Sequence, residues 1–177
     1  MIILLQNYEK NKKEVNILNY NLFKNLKKDN QLKYFKKIDK HIQKLVGHKL
    51  ITFTVIDKSL KFCERIYSNN EKIYPLMGQK PMPKNIWAKK VIKNKNHFLC
   101  KNKKEIKKIY FDHDIIFSLK CGSIVNLLIL FNNKPIGTIN ILHNENHYIT
   151  KDIKKIEDVT IFMIPFFLNH QHKMKKH

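Results

Sequence analysis

The chain has 177 residues, is 43% hydrophobic and 28% charged, and carries a formal net charge of +21; this suits one globular domain with a proper core and excludes a disordered chain. No window approaches the roughly 18 consecutive apolar residues of a spanning helix, and Met1-Ile2-Ile3-Leu4-Leu5 is too short for the apolar region of a signal peptide. The positive charge is spread over the whole length, and of the 35 basic residues all but Arg65 are Lys; a protein that reads bases or clamps phosphates keeps several guanidinium forks, so nucleic-acid binding is not expected.

Residues 1–28 show only a loose helical spacing through Leu18, Leu22 and Leu26, and are expected to form a helical extension lying against the domain or a second copy of the chain. Asp29 or Asn30 can cap a better helix, in which Leu32, Phe35, Ile38, Ile42 and Leu45 recur at three- and four-residue steps before Gly47 stops it. The period then changes to two. Leu50–Ile56 (LITFTVI) reads as a strand, Asp57-Lys58-Ser59 as a turn, and Lys61–Tyr67 (KFCERIY) as a second strand. A long loop runs from Ser68 to about Asn85. Trp87–Ile92 has the spacing of a short helix, His97–Cys100 of a short strand and Lys103–Tyr110 of a basic helix, after which Ile115–Leu119 leads into the last strand pair.

Ser123–Phe131 and Ile136–Leu142 are strands apolar on both faces, which suits a sheet covered on two sides. Asn132-Asn133 between them tolerates the positive φ of a two-residue hairpin turn. Asp152 can cap a final helix through Ile153, Ile156, Val159, Phe162, Met163 and Phe166, with Pro165 kinking it or marking its last turn. Residues 29–168 thus form the domain, with 169–177 as a basic tail. The order describes an α/β (α+β) domain: a central antiparallel sheet, terminal helices on one face, and a loop and short-helix lid on the other. A pocket between sheet and lid follows.

The segment GSIVNLLILFNNKPIGTINILH resembles the late part of GAF domains, whose paired strands read S-x-x-x-x-P followed by x-G-x-x-x-G-x-L-x-L. Ser123, Gly137 and the apolar positions match, whereas the usual turn Gly is Asn133 and the usual Pro is Leu128. Arg65-Ile66-Tyr67-Ser68, Tyr74-Pro75 and Cys121-Gly122-Ser123 look like stand-alone bacterial GAF proteins of unassigned role. The resemblance implies a PAS-like antiparallel sheet and a small-molecule pocket under the intervening loops, and it names no ligand.

The candidate ligand-binding residues are Arg65, Tyr67, Tyr74, Lys80, Trp87, Ser123 and Asn140. Arg65 leads, because Lys would serve a surface ion pair equally well in this lysine-saturated chain, while a guanidinium suits a planar carboxylate. Along CERIY, strict alternation turns Cys63, Arg65 and Tyr67 to one face. Tyr74 and Trp87 can line the lid, and Lys80 can offer charge from a flexible loop. Across an unbulged hairpin, Ser123, Val125 and Leu127 share a face with Thr138, Asn140 and Leu142, while Asn126, Gly137 and His143 share the other. Ser123 and Asn140 would then present a donor–acceptor pair at the pocket floor.

Cys121 is the candidate nucleophile for an enzyme reading, with His113 and His143 as possible activators. The free methionine-(R)-sulfoxide reductases are a GAF class that works through cysteine. The resemblance places their acidic substrate-binding residues at Ser123 and Asn140, and their cysteine spacings are not those of Cys63, Cys100 and Cys121. A buried, inert Cys121 is therefore expected. The nine His lack a ligand spacing with cysteine or carboxylate, so neither metal nor cofactor is expected. Three widely spaced cysteines fit reduced thiols in a cytoplasmic protein with no membrane partner. No output domain is expected after the last helix. The expected chain is a small-molecule receptor for a polar, anionic metabolite that acts alone, through a partner, or as a homodimer built with its N-terminal helices.

Overall fold

The structure, a computed structural model, describes residues 30–76 and 78–174. The helical extension expected over residues 1–28 lies outside the described residues. Two compact units divide the chain, Met1–Ile38 and Asp39–His177. In the first, Asn30 caps helix α1 (Gln31–Val46), its Oδ1 accepting from Lys33 N at 2.9 Å. In the second, α1 ends at Gly47, whose φ of 70° is the left-handed value that a Cβ disfavours.

Six antiparallel strands follow: β1 (Leu50–Ile56), β2 (Phe62–Ser68), β3 (Lys80–Pro81), β4 (Phe98–Cys100), β5 (Ser123–Phe131) and β6 (Lys134–His143). They form one sheet in the order β3-β2-β1-β6-β5-β4. The edge strand β3 comes from the segment read as loop. Its two residues pair with Phe62 and Cys63 without any periodicity to announce them. The β5–β6 turn is the one expected: Asn132 and Asn133 have φ of 48° and 59°.

Helices α2 (Ile86–Ala88, running into a π-helical turn over Lys89–Lys93), α3 (Lys103–Ile109) and α4 (His113–Ser118) build the lid. Their buried residues Val91, Ile106 and Ile116 join Leu50, Ile124, Leu128 and Leu142 of the sheet in one apolar cluster. Each such side chain removed from water contributes about 1.5–3 kcal/mol. The final helical stretch is two helices, α5 (Thr150–Ile156) and α6 (Val159–Lys173). Asp152 reaches back from inside α5 to accept from Ile149 N at 3.0 Å. Pro165 does not end α6; it lies inside the helix with its ring exposed, and removes the hydrogen bond that an N–H there would give to the carbonyl four residues back. The helix continues into the expected tail, held by Gln171 Nε2 donating to Ile56 O at 2.6 Å. Val159, Met163 and Phe167 are its buried stripe, and it packs on β5, β6 and β1. No helix of the described residues is long and apolar enough to cross a membrane.

Two β-bulges decide which side chains face the lid. In β1–β2 the register passes from Phe53↔Tyr67 to Thr54↔Arg65, leaving Ile66 as the extra residue. In β5–β6 it passes from Ile129↔Gly137 to Leu130↔Pro135, leaving Ile136 extra. Each extra residue reverses the alternation beyond it.

Candidate functional site

Between sheet and lid a cavity of about 200 Å³ remains. Its floor is made by alternate residues of the four long strands: Thr52 and Thr54 of β1, Cys63 and Arg65 of β2, Asn126 of β5, and Thr138 and Asn140 of β6. Tyr74, Trp87, Tyr110, Phe111 and Asp112 come down from the lid. The floor is polar because threonines and asparagines fall on the same parity as the apolar Ile124 and Leu142, which meet the lid cluster instead.

The floor polar groups form one connected chain. Trp87 Nε1 donates to Asn126 Oδ1 at 3.0 Å, and the Tyr110 hydroxyl donates to the same oxygen at 2.7 Å. Asn126 Nδ2 donates to Asn140 Oδ1 at 2.7 Å. Asn140 Nδ2 donates to Thr52 Oγ1 at 3.1 Å and to Thr54 Oγ1 at 3.2 Å. An indole N–H can only donate, so Trp87 fixes Asn126 with its oxygen towards the lid. That orientation turns the nitrogen of Asn126 to Asn140, and the nitrogen of Asn140 to the threonines. The hydroxyl hydrogens of Thr52 and Thr54 are then left to donate into the cavity. The direction of the whole chain is set from the lid.

Arg65 stands at the other side of the floor. Its Nη1 donates to Pro75 O at 2.9 Å, and its guanidinium carbon lies 4.9 Å from the centre of the Tyr74 ring. Its Nε is buried with no hydrogen-bond partner among the described residues. Burial pulls its pKa below the ordinary Arg value, against the opposing influence of Tyr74, Asp112 and Cys63. Among the described residues no carboxylate forms an ion pair with it. Tyr74 donates from its hydroxyl to Asp112 Oδ2 at 2.9 Å, and burial, followed by that carboxylate, pushes its pKa up.

Arg65, Tyr74, Trp87 and Asn140 are brought together in the lining of one cavity. Tyr67 and Ser123 are not. The β1–β2 bulge turns Tyr67 to the opposite face, where its ring stacks on Phe53 at 4.7 Å and its hydroxyl donates to Asp39 Oδ2 at 2.7 Å. The β5–β6 bulge puts Asn126, not Ser123, opposite Asn140; Ser123 Oγ donates instead to Asn144 O at 2.7 Å. Lys80 sits exposed on β3, beside Cys63 and outside the cavity lining.

Cys121 is fully buried in the apolar cluster, its Sγ 3.6 Å from Leu119 O, and burial pushes its thiol pKa up. The imidazoles expected beside it are engaged elsewhere, His113 Nδ1 with Tyr110 O at 3.0 Å and His143 Nδ1 with Asn144 N at 2.7 Å. Among the described residues no three His, Cys, Asp or Glu gather in a metal-holding group. The residues missed from sequence are Thr52, Thr54, Asn126, Tyr110 and Asp112. The alternation of LITFTVI already places both threonines on one face, so that signal was present. Tyr110 and Asp112 lie where α3 passes into α4, and no local pattern marks them.

No family model matches the sequence, and no curated protein matches it. Solved structures do match. The GAF domain of an Acinetobacter phosphoenolpyruvate-protein phosphotransferase superposes with a TM-score of 0.67 at 8% identity, covering 93% of this chain and 97% of that one. The GAF domain of a two-component sensor histidine kinase from Bacillus halodurans gives 0.61 at 12%, covering 80% and 99%. A type II free methionine-R-sulfoxide reductase from Thermoplasma acidophilum gives 0.55 at 10%, covering 75% and 94%. With the six-stranded antiparallel sheet, the helix-covered face and the lid, these likenesses lead to one conclusion: the chain has the fold of a GAF domain.

Proposed function

We propose that this chain is a cytoplasmic small-molecule receptor, holding a polar metabolite with a negatively charged group between sheet and lid. The observation that carries the reading is Arg65. A half-buried guanidinium with an unpartnered Nε and, among the described residues, no carboxylate in an ion pair with it is costly to keep. A ligand carboxylate offsets that cost through charge-assisted bonds. The hydroxyls of Thr52 and Thr54, turned inward by the Trp87–Asn126–Asn140 chain, add donors on the same floor. A sensing role is supported by the company the fold keeps, since the Bacillus halodurans neighbour belongs to a sensor histidine kinase. The three free cysteines support a reducing compartment.

The test is a thermal-shift screen of carboxylates, purines and amino-acid derivatives on the wild-type chain, on Arg65→Ala and on Arg65→Lys. A ligand at a hundred times its Kd stabilises the fold by about 2.7 kcal/mol. Both variants should stay folded and lose that stabilisation, Lys because it cannot present the planar fork. Retention of the full shift by Arg65→Ala would overturn the reading.

A further inference from the structure

The cavity holds a second charge. Asp112 lines it, and its Oδ2 takes the hydroxyl of the same Tyr74 whose ring lies under Arg65. A guanidinium and a carboxylate sharing a half-buried cavity attract each other strongly and ordinarily close to contact. Here they do not: neither belongs to an ion pair among the described residues. Each is held back by a neutral partner, Arg65 by Pro75 O and Asp112 by the Tyr74 phenol, with Tyr74 between them. Among the described residues Arg65 Nε is left without an acceptor, and the other oxygen of the half-buried Asp112 makes no hydrogen bond and stays open to solvent.

The charged groups of the lining therefore sum to zero, with a cation and an anion kept apart in one small space. A purely anionic ligand would satisfy Arg65 and be repelled by Asp112, and a doubly charged phosphate would exceed the one cation present. A zwitterion satisfies both. The remaining lining, including Leu50, Ile56, Ile116, Ile124 and Leu142, is apolar, and the cavity of about 200 Å³ is below the range typical of drug-sized ligands.

Building on the receptor reading above, we infer that the ligand is a free α-amino acid with a small apolar side chain. Its carboxylate lies on Arg65 and the Thr52 and Thr54 hydroxyls, its ammonium on Asp112, and its side chain against the aliphatic wall. Tyr74 acts as the spacer that keeps the two protein charges open for it.

The experiment is calorimetric titration of the folded chain with matched probes. These are the apolar L-amino acids and, for the tightest of them, the deaminated acid and the α-amide with the same side chain. The amino acid should bind at least tenfold more tightly than either analogue. Asp112→Asn, which keeps an acceptor for the Tyr74 hydroxyl, should erase the preference for the amino acid over the deaminated acid, weakening the former and, with the repelling charge gone, tightening the latter. Arg65→Ala should abolish binding of both acids. If the deaminated acid binds wild type as tightly as the amino acid, or if Asp112→Asn keeps the preference, the zwitterion inference falls and the anion-receptor reading stands. If no carboxylate of any kind binds, both fall.

Discussion

Trp87 Nε1 sits 3.0 Å from Asn126 Oδ1, across 39 residues of chain, and this bond joins the lid to the floor of the cavity. Tyr110 reaches the same oxygen, but its hydroxyl can either donate or accept. Trp87 is thus the member of the network whose donor sense cannot reverse.

Trp87→Phe keeps an aromatic ring in the lid and removes that constraint. Asn126 can then rotate to donate to Tyr110, Asn140 can follow, and the threonine hydroxyls can turn away from the cavity. The expected cost in stability is small, about 1 kcal/mol for one hydrogen bond whose acceptor keeps a second donor. The expected cost in ligand affinity is larger, about tenfold, or ~1.4 kcal/mol. Urea denaturation read beside titration of the ligand found in the screen separates the two. Unchanged affinity in a folded Trp87→Phe chain would show that the network does not set the donor sense of the floor.

The architecture was legible because its signals are local and periodic: the Asn132-Asn133 turn, the alternation in LITFTVI and the cap at Asn30 all stand where expected. The site was half legible. Arg65, Tyr74, Trp87 and Asn140 converge, while Tyr67 and Ser123 were lost to single inserted residues at Ile66 and Ile136. A bulge has no strong sequence mark when the extra residue is as β-favouring as its neighbours. Both strands keep reading as unbroken alternation, and the error passes to every residue beyond the bulge. β3 escaped for a different reason, because two residues are too few to carry a period.

Gly137 shows the opposite case, a residue readable in sequence and explained only by packing. It sits on the helix-covered face, and a Cβ there would overlap the Phe167 ring of α6 and the Thr54 carbonyl oxygen of β1. The backbone neighbour cannot swing aside as a flexible side chain can. Gly137→Ala is expected to destabilise the domain by about 3 kcal/mol, at the upper end of overpacking costs. Chemical denaturation measures it directly, and a loss below about 1 kcal/mol would mean that α6 shifts freely on the sheet.

The three thiols should separate by accessibility. Cys63 is half-buried and lines the cavity; burial raises its pKa, while Lys80 and Arg65 pull the other way. Cys100 is buried, its pKa pushed up to about 12 by burial and then by Glu105, and Cys121 is buried as well. A short iodoacetamide pulse on the native chain should therefore modify Cys63 first, with Cys100 and Cys121 reacting only on unfolding. Ligand should slow the labelling of Cys63. Peptide mass spectrometry reads all three sites at once, and native labelling of Cys121 at the rate of Cys63 would revive the nucleophile reading of that residue.

The His143 and His147 rings stack at 3.6 Å with planes 12° apart. His143 Nδ1 accepts from Asn144 N, and His147 Nε2 lies 2.8 Å from Val46 O. Burial, then His147, Lys49 and His48, lower the pKa of His143 below its ordinary 6.5. The fold thus favours the neutral imidazole, and between the folded and unfolded midpoints the unfolded chain binds more protons. Stability from this group is full above pH 6.5, declines as pH falls towards the folded midpoint, and levels off below it. His41 and His97, both lowered chiefly by burial, add loss of the same sign. Urea midpoints should accordingly fall between pH 7.5 and 5. His147→Phe keeps a stacking ring and removes one charge from beside His143, so the His143 midpoint followed by its imidazole proton resonances should rise towards 6.5 and the pH slope should flatten. An unmoved midpoint would assign the lowering to burial, Lys49 and His48, and would remove the stacked pair as the source of acid sensitivity.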